Sequence, residues 1–214
     1  MGLLADTHVP EFLDALPTAV SDALSGVEAI LHAGDVTSQA VLDQLAELAP
    51  VFAVRGDHDR ELADLPRSRL IQIAGMRIGL IHGEMPFWIE EPRTFLETMA
   101  LGAVQLEPNR RRLARQFPDA DLIVFGHYHR PIDRRYGRSR QICPGSVYRL
   151  DALEAQRRLG AGPSWFEWSF LQVARRRRAP LPSASVALLT ISEGDAQVEF
   201  VELADLRPPQ ARPR

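Results

Sequence analysis

The chain has 214 residues, of which 45% are apolar, so it can bury a sizeable core and is neither disordered nor of low complexity. Twenty-five basic residues against 28 acidic ones leave a net charge of −3, with no global pull towards nucleic acid or an anionic membrane. All the basic residues are arginine, which excludes Schiff-base and phosphate-loop lysines, and the lone Cys143 excludes an internal disulfide framework and a cysteine zinc cage.

No apolar run reaches the ~18–20 residues of a membrane helix, and no basic segment leads into an apolar stretch at the N-terminus. A cytoplasmic protein with no membrane partner is expected. In chain order, the first apolar run is Gly2 to Ala5. Glu11 to Leu24 follows with helical period, apolar at Phe12, Leu13, Leu16, Val20 and Leu24. Val27 to Ala33 reads as a strand. Ser38 to Leu48 reads as a helix with Val41, Leu42, Leu45 and Leu48 on one face. Val51 to Val54 is a third short run. Leu70 to Ile73 and Arg77 to Ile81 flank Ala74-Gly75-Met76 as a hairpin. Pro92 to Phe117 is mostly helical with a break near Pro108, and Leu122 to Phe125 is another buried strand.

The character changes after Pro144-Gly145-Ser146. Arg149 to Pro182 holds a helix, a break at Ala161-Gly162-Pro163, the aromatics Trp165, Phe166, Trp168 and Phe170, and the run Arg175 to Arg178. Ser185 to Ile191 and Gln197 to Leu203 form a second hairpin across Glu193-Gly194-Asp195. The tail 207–214 is rich in Pro and Arg and is expected to be unordered. With no repeat and no separating linker, residues 1–206 read as one domain carrying an extra segment at about 149–182. Alternating strands and helices argue for an α/β architecture.

The ends of the apolar runs carry the chemistry. They read Asp6-Thr7-His8, Gly34-Asp35, Gly56-Asp57-His58-Asp59, His82-Gly83 and Gly126-His127-Tyr128-His129. Ligands in open α/β sheets bind beyond the carboxyl ends of strands. Three aspartates and four or five histidines would meet in one crevice, a donor set for Mn, Fe, Zn or a related divalent ion. In extended chain, residues i and i+2 point the same way, which would turn Asp6 with His8, and His127 with His129, to one site. Seven such donors exceed one tetrahedral ion and suit two ions sharing a carboxylate, the arrangement that clamps a phosphoryl displacement.

The order D-x-H, G-D, G-D-H-D, H-G, G-H-x-H and C-P-G-S resembles that of the calcineurin-like metallophosphoesterases, in their small bacterial and archaeal phosphodiesterase branch. The resemblance covers about Gly2 to Ser146 and the closing hairpin. It implies a four-layer α/β/β/α sandwich of two mixed sheets flanked by helices. It implies a first metal on Asp6, His8 and His129, a bridging Asp35, and a second metal on Asp57, His82 and His127. It implies His58 as a phosphate contact or leaving-group acid, with a surface turn histidine as the alternative. The implied cofactors are two divalent ions, Mn first, with Fe, Zn, Ni and Mg also fitting. The implied reaction is in-line attack of metal-bound hydroxide on the phosphorus of a small phosphate ester, a diester or a monoester.

Three departures stand out. Asp57 and Cys143 each replace an Asn usual in the family, and only five residues precede Asp6, so the first strand is short and the natural start is expected a few residues upstream. His32 reads as core or supporting histidine. Asp59 reads as a turn residue or one that holds a histidine. Arg55 and Arg130 are candidate phosphate contacts or solvated side chains. Arg110 to Arg112 and Arg175 to Arg178 read as solvated faces or an anion-binding rim. Cys143 reads as a small buried hydrophobe. The four aromatics read as packing over the core or a partner chain, as in a homodimer, or as a lid. Two other functions share the pattern: a protein-interaction scaffold with a silent site, and a nuclease that uses the arginine runs on nucleic acid.

Overall fold

Among the described residues there are ten short strands: β1 (Gly2–Leu4), β2 (Ile30–His32), β3 (Val51–Ala53), β4 (Ser68–Ile73), β5 (Met76–Ile81), β6 (Leu122–Phe125), β7 (Pro131–Tyr136), β8 (Ser139–Pro144), β9 (Ser185–Ser192) and β10 (Asp195–Glu202). The helices whose bounds are described are α1 (Thr18–Ala23), α2 (Gln39–Ala46), α3 (Arg110–Gln116) and α4 (Ala152–Leu159). This computed structural model describes residues 1–86, 110–163, 183–192 and 194–203, together with 88–89, 92, 96, 168, 171–172 and 174–175.

The strands form two five-stranded mixed sheets, ordered β10-β9-β1-β2-β3 and β4-β5-β6-β8-β7. In the first, β1, β2 and β3 are parallel and the β9–β10 hairpin joins antiparallel. In the second, β5, β6 and β8 are parallel, and the hairpin partners β4 and β7 run antiparallel at the edges. Strand alternation sorts the side chains into layers. Leu3 and Leu31 meet Ile78, Leu80, Leu122 and Val124 between the sheets. Leu4 and Ile30 turn the other way, to Val20, Val41, Leu42 and Leu45 of α1 and α2. On the far side of the second sheet, Ile123, Phe125 and Cys143 pack against Leu113 of α3. The result is the expected α/β/β/α layering, in which each fully buried Leu or Ile contributes about 1.5–3 kcal/mol.

Several expectations need correction. The helix expected over Glu11 to Leu24 shrinks to α1, because Pro17 sits at its N-cap with φ −61° and ψ 138° and disfavours helical backbone before it. Residues ahead of it fold into a turn in which the N–H groups of Phe12 and Leu13 donate to the His8 carbonyl at 2.8 and 3.1 Å. Leu48 lies beyond the end of α2 and is exposed rather than on its buried face. The first hairpin starts at Ser68, and its turn is two residues, Ala74 and Gly75, with φ 49° and 80°. Such positive pairs match the twist of the flanking strands, so Met76 belongs to β5. The hairpin of β7 and β8 was not expected at all. Its sequence is crowded with Arg and Asp, and the charge is taken up on the sheet surface, where Arg140 Nε donates to Asp133 at 2.7 Å.

Of the segment Pro92 to Phe117, α3 and Phe117 are described together with Pro92 and Leu96, and the break near Pro108 lies outside the described residues. So do Trp165, Phe166, Phe170, Arg176 to Arg178 and the tail 207–214. The expected helix after Arg149 is α4, capped by Asp151, whose carboxylate accepts from the Glu154 N–H at 2.8 Å. Contacts divide the chain into two units: Met1–Gly83, Asn109–Tyr148 and Ser183–Arg214 in one, Glu84–Pro108 and Arg149–Pro182 in the other. Among the described residues no helix is long and apolar enough to cross a membrane.

The Ala74 turn yields a stability prediction. Left-handed backbone costs an L-residue with a Cβ roughly 1–2 kcal/mol, and Asn tolerates it better. Ala74→Asn should therefore raise the denaturation midpoint by an amount corresponding to about 1 kcal/mol. A lowered midpoint would refute the turn geometry.

Candidate metal centre

Every block singled out in the sequence follows the carboxyl end of a strand: Asp6 and His8 after β1, Asp35 after β2, Asp57, His58 and Asp59 after β3, His82 after β5, His127 and His129 after β6. Their loops are not extended, which corrects the alternation argument. Among the described residues seven non-glycine residues have positive φ, and six of them are Asp6, His8, Asp35, Thr37, His127 and His129. Left-handed backbone, rather than pleat, aims these side chains. It sends His127 and His129 into different groups of donors.

Among the described residues five overlapping triads have donor atoms within 4.8 Å of one another, and two of them gather the expected ligands: Asp6, His8 and His129 in one, Asp57, His82 and His127 in the other. In the first, His129 Nε2 lies 3.3 Å from Asp6 Oδ1. In the second, His82 Nε2 and His127 Nδ1 lie 3.0 and 3.5 Å from Asp57 Oδ1. Asp35 stands between them, its Oδ2 3.6 Å from His8 Nε2 and 3.3 Å from His82 Nε2. His8 Nε2 is buried and makes no hydrogen bond. A buried imidazole nitrogen without a partner, facing a carboxylate shared by two triads, is the signature of a site that fits divalent cations.

Backbone and neighbours fix these groups. The His82 Nδ1–H donates to the Ala33 carbonyl at 2.8 Å, which leaves Nε2 for the centre. The His127 N–H donates to Asp6 Oδ2 at 3.0 Å. The loop after β8 clamps Asp6 from behind: the Tyr148 N–H and the Ser146 hydroxyl donate to the Asp6 carbonyl at 3.2 and 3.0 Å. Glycines permit the crowding. A Cβ on Gly34 would lie 2.7 Å from His82 Nδ1, and one on Gly126 would lie 2.8 Å from the Ala5 Cβ.

Asp59 is buried and holds backbone amides rather than a histidine. Its Oδ2 accepts from the N–H of Asp35 and Gly56 at 2.9 and 2.7 Å, and its Oδ1 from the N–H of Thr37 at 2.7 Å. His58 is half-exposed, its N–H donating to Asp35 Oδ1 at 2.9 Å and its Nδ1–H to Glu11 Oε2 at 2.8 Å. Glu11 escaped the sequence reading because it was placed in a helix; its spacing of three from His8 was the available signal. Thr7 and Ser146, which hold the Asp35 and Asp6 loops, escaped it too. His32 is fully buried beside Thr7, 3.2 Å from its hydroxyl, as a supporting histidine. Cys143 is fully buried, its Sγ 3.9 Å from the Gly126 carbonyl. Arg55 donates to the Ala63 carbonyl at 3.2 Å, and Arg130 is half-buried directly after His129.

The electrostatics follow from packing. Burial pushes the Asp6 carboxyl up, but His129, His82 and His8 outweigh it and hold Asp6 below the usual carboxylate range. Burial likewise opposes ionisation of Asp35 and Asp57, and is overcome by His82 at Asp35 and by His127 and His82 at Asp57. Burial would strip His82 of its proton, yet Asp35, Asp57 and Asp6 raise its pKa well above the ordinary value. Against burial, His58 and His8 lower Glu11 to about 2, and the Glu11 hydrogen bond raises His58. Burial lowers His32 to about 4 and pushes the Cys143 thiol up to about 12, so neither the imidazolium nor the thiolate forms near neutral pH.

The three amides on Asp59 make it the keystone of the Asp35 loop. Each buried N–H left without an acceptor costs about 1–3 kcal/mol. Asp59→Ala is expected to lower stability by about 3 kcal/mol or more in chemical denaturation. A loss under about 1 kcal/mol would show that the loop holds its shape without Asp59.

Comparison with known proteins accords with this geometry. The profile of the calcineurin-like phosphoesterase superfamily domain matches residues 1–157. A protein of Methanothermobacter thermautotrophicus named "Probable metallophosphoesterase" is 40% identical over 147 residues, covering 68% of this chain and 76% of that protein. Among solved structures, Vps29 of Chaetomium thermophilum superposes with a TM-score of 0.60 at 17% identity, covering 94% of this chain and 95% of that one. A predicted phosphoesterase of Streptococcus pneumoniae superposes with a TM-score of 0.55 at 16% identity, covering 98% and 92%. At those identities the structures speak for the fold alone. The sequence match and the fold together place this chain in the calcineurin-like phosphoesterase superfamily.

Proposed function

We propose that the protein is a dinuclear metal-dependent phosphoesterase that hydrolyses phosphodiester bonds. One observation carries the reading: Asp35 Oδ2 stands within 3.6 Å of His8 Nε2 and 3.3 Å of His82 Nε2, at the junction of two Asp/His triads. Asp6, His8 and His129 would hold one ion, Asp57, His82 and His127 the other, and Asp35 both. Two divalent ions, Mn being our first choice for this oxygen and imidazole set, would lower the pKa of a bound water and neutralise charge on the phosphoryl oxygens.

The remaining work falls to side chains. His58 is held by Glu11 at Nδ1 and by Asp35 at its backbone N–H, and in its imidazolium form would offer the Nε2 proton to the leaving oxygen. Arg55 and Arg130 are our candidates for substrate phosphate; Arg55 uses one of its five N–H donors on Ala63. The proposed ligands and His58 all belong to the unit that contains Met1–Gly83 and Asn109–Tyr148. We read Arg149–Pro182 as an appendage of a single metallophosphoesterase domain, and the cytoplasm as its place of work.

Purified protein dialysed against Mn2+ should retain two ions per chain and hydrolyse an aryl phosphodiester. Asp35→Asn should cut kcat at least 100-fold and weaken uptake of both ions. Protein that binds two ions yet turns nothing over would favour the scaffold instead, and protein that binds none would end the proposal.

Asp57 gives a sharper test. Two ions contribute about +4 and hydroxide −1, so three ionised aspartates bring the shell to about zero, and Asn at this position would leave about +1. Asp57→Asn should therefore weaken the second ion and lower KM for an anionic diester. Both quantities unchanged, by metal titration and steady-state kinetics, would defeat the charge argument.

A further inference from the structure

We propose that Glu11 is a shared positioning residue, whose carboxylate takes the Nδ1–H of both His8 and His58 and so turns Nε2 of each ring into the centre. This inference rests on the phosphoesterase reading and adds a residue to it. Glu11 Oε2 lies 3.3 Å from His8 Nδ1 and 2.8 Å from His58 Nδ1, and Oε1 lies 2.9 Å from His58 Nδ1. The two rings stand edge to face, centroids 4.8 Å apart at 86°, which lets one carboxylate reach both.

The local chain holds Glu11 there. The turn closed by Phe12 and Leu13 on the His8 carbonyl lays Glu11 over the His8 ring. The Phe12 ring packs 4.7 Å from His8 and 5.8 Å from His58, and Tyr148 lies 4.7 Å from Phe12 and 5.9 Å from His8. These rings pack beside the imidazoles and limit how far they can turn.

The consequence is a choice of tautomer. A neutral imidazole has one N–H and one lone pair, and the group that binds the first decides where the second points. With Nδ1–H given to Glu11, the His8 lone pair sits at Nε2, the buried nitrogen without a partner. The same carboxylate takes the His58 Nδ1–H whether that ring is neutral or an imidazolium, and only the imidazolium carries the Nε2 proton to donate, so one residue aligns a candidate ligand and the candidate proton donor.

Ring 15N spectra of Zn2+-loaded and metal-free protein test this, with metal affinities by chelator competition. Wild type should show both rings protonated at Nδ1. Glu11→Ala should free the His58 tautomer and weaken one of the two ions about 10–100-fold, leaving the other unchanged. Its kcat should fall more for an alkyl than for a p-nitrophenyl leaving group, as in His58→Ala, with KM retained. Glu11→Gln, nearly isosteric and still an acceptor, should recover part of the affinity; it carries the test if the alanine variant does not fold. Wild-type tautomers and affinities in both variants would overturn the inference, and so would loss of one whole ion in Glu11→Gln, which would make Glu11 a ligand. If wild type binds no Zn2+, the phosphoesterase reading fails, and the His58 tautomer of metal-free protein still decides whether Glu11 orients that ring.

Discussion

The close approach of two sheets at their carboxyl ends is the constraint on which the centre depends. It is marked by one hydrogen bond, from His82 Nδ1 of the second sheet to the Ala33 carbonyl of the first. Gly34 and Gly126 permit it, because a side chain at either would drive His82 or Ala5 out of place. Only with the sheets this near can Asp6 and Asp35, from one sheet, meet His82, His127 and His129, from the other. The apolar layer between the sheets supplies the driving force, and the glycines decide how tightly it closes.

The second requirement is backbone held where it does not rest by itself. Residues with a Cβ in the left-handed region cost of order 1–3 kcal/mol each and persist where their surroundings over-determine them. Here the surroundings can be named. Asp59 holds three amides of the Asp35 loop and its neighbour, Ser146 and Tyr148 hold the Asp6 carbonyl, and Thr7 braces Asp35. The core carries this cost so that carboxylates and imidazoles crowd together before any ion arrives, an arrangement of pre-organised charge.

Charge and burial then set the chemistry. Imidazoles lower the pKa of the buried Asp6 and Asp35 and of the exposed Asp57, and these carboxylates in turn raise that of His82. A proton and a divalent cation would compete for such a cage. Cys143, where the family usually carries Asn, is a buried neutral thiol that packs with Phe125 and Ile123. It leaves bracing of the neighbouring loop to Ser146 and Ser185, whose hydroxyl donates to the Pro144 carbonyl at 2.8 Å.

The order of apolar runs and the polar blocks after them were legible in the residues alone, and with them the layered fold and the seven residues that converge. Local patterning carries that information, since strands alternate and loops at strand ends collect polar groups. Tertiary structure decided the rest. Pro17 cut a periodic stretch down to α1 and released Glu11 to the site. Charge on β7 and β8 hid a hairpin in which Arg140 faces Arg135 in the register and bonds Asp133 diagonally across the strands. The split of His127 and His129 between two groups, which the family resemblance implies and pleat alternation does not explain, follows from their left-handed backbone. Asp59 holds Asp35 and Thr37, 24 and 22 residues away, and Glu11 holds His58, 47 residues away, and no local pattern encodes such contacts, which exist only once the chain has folded back on itself.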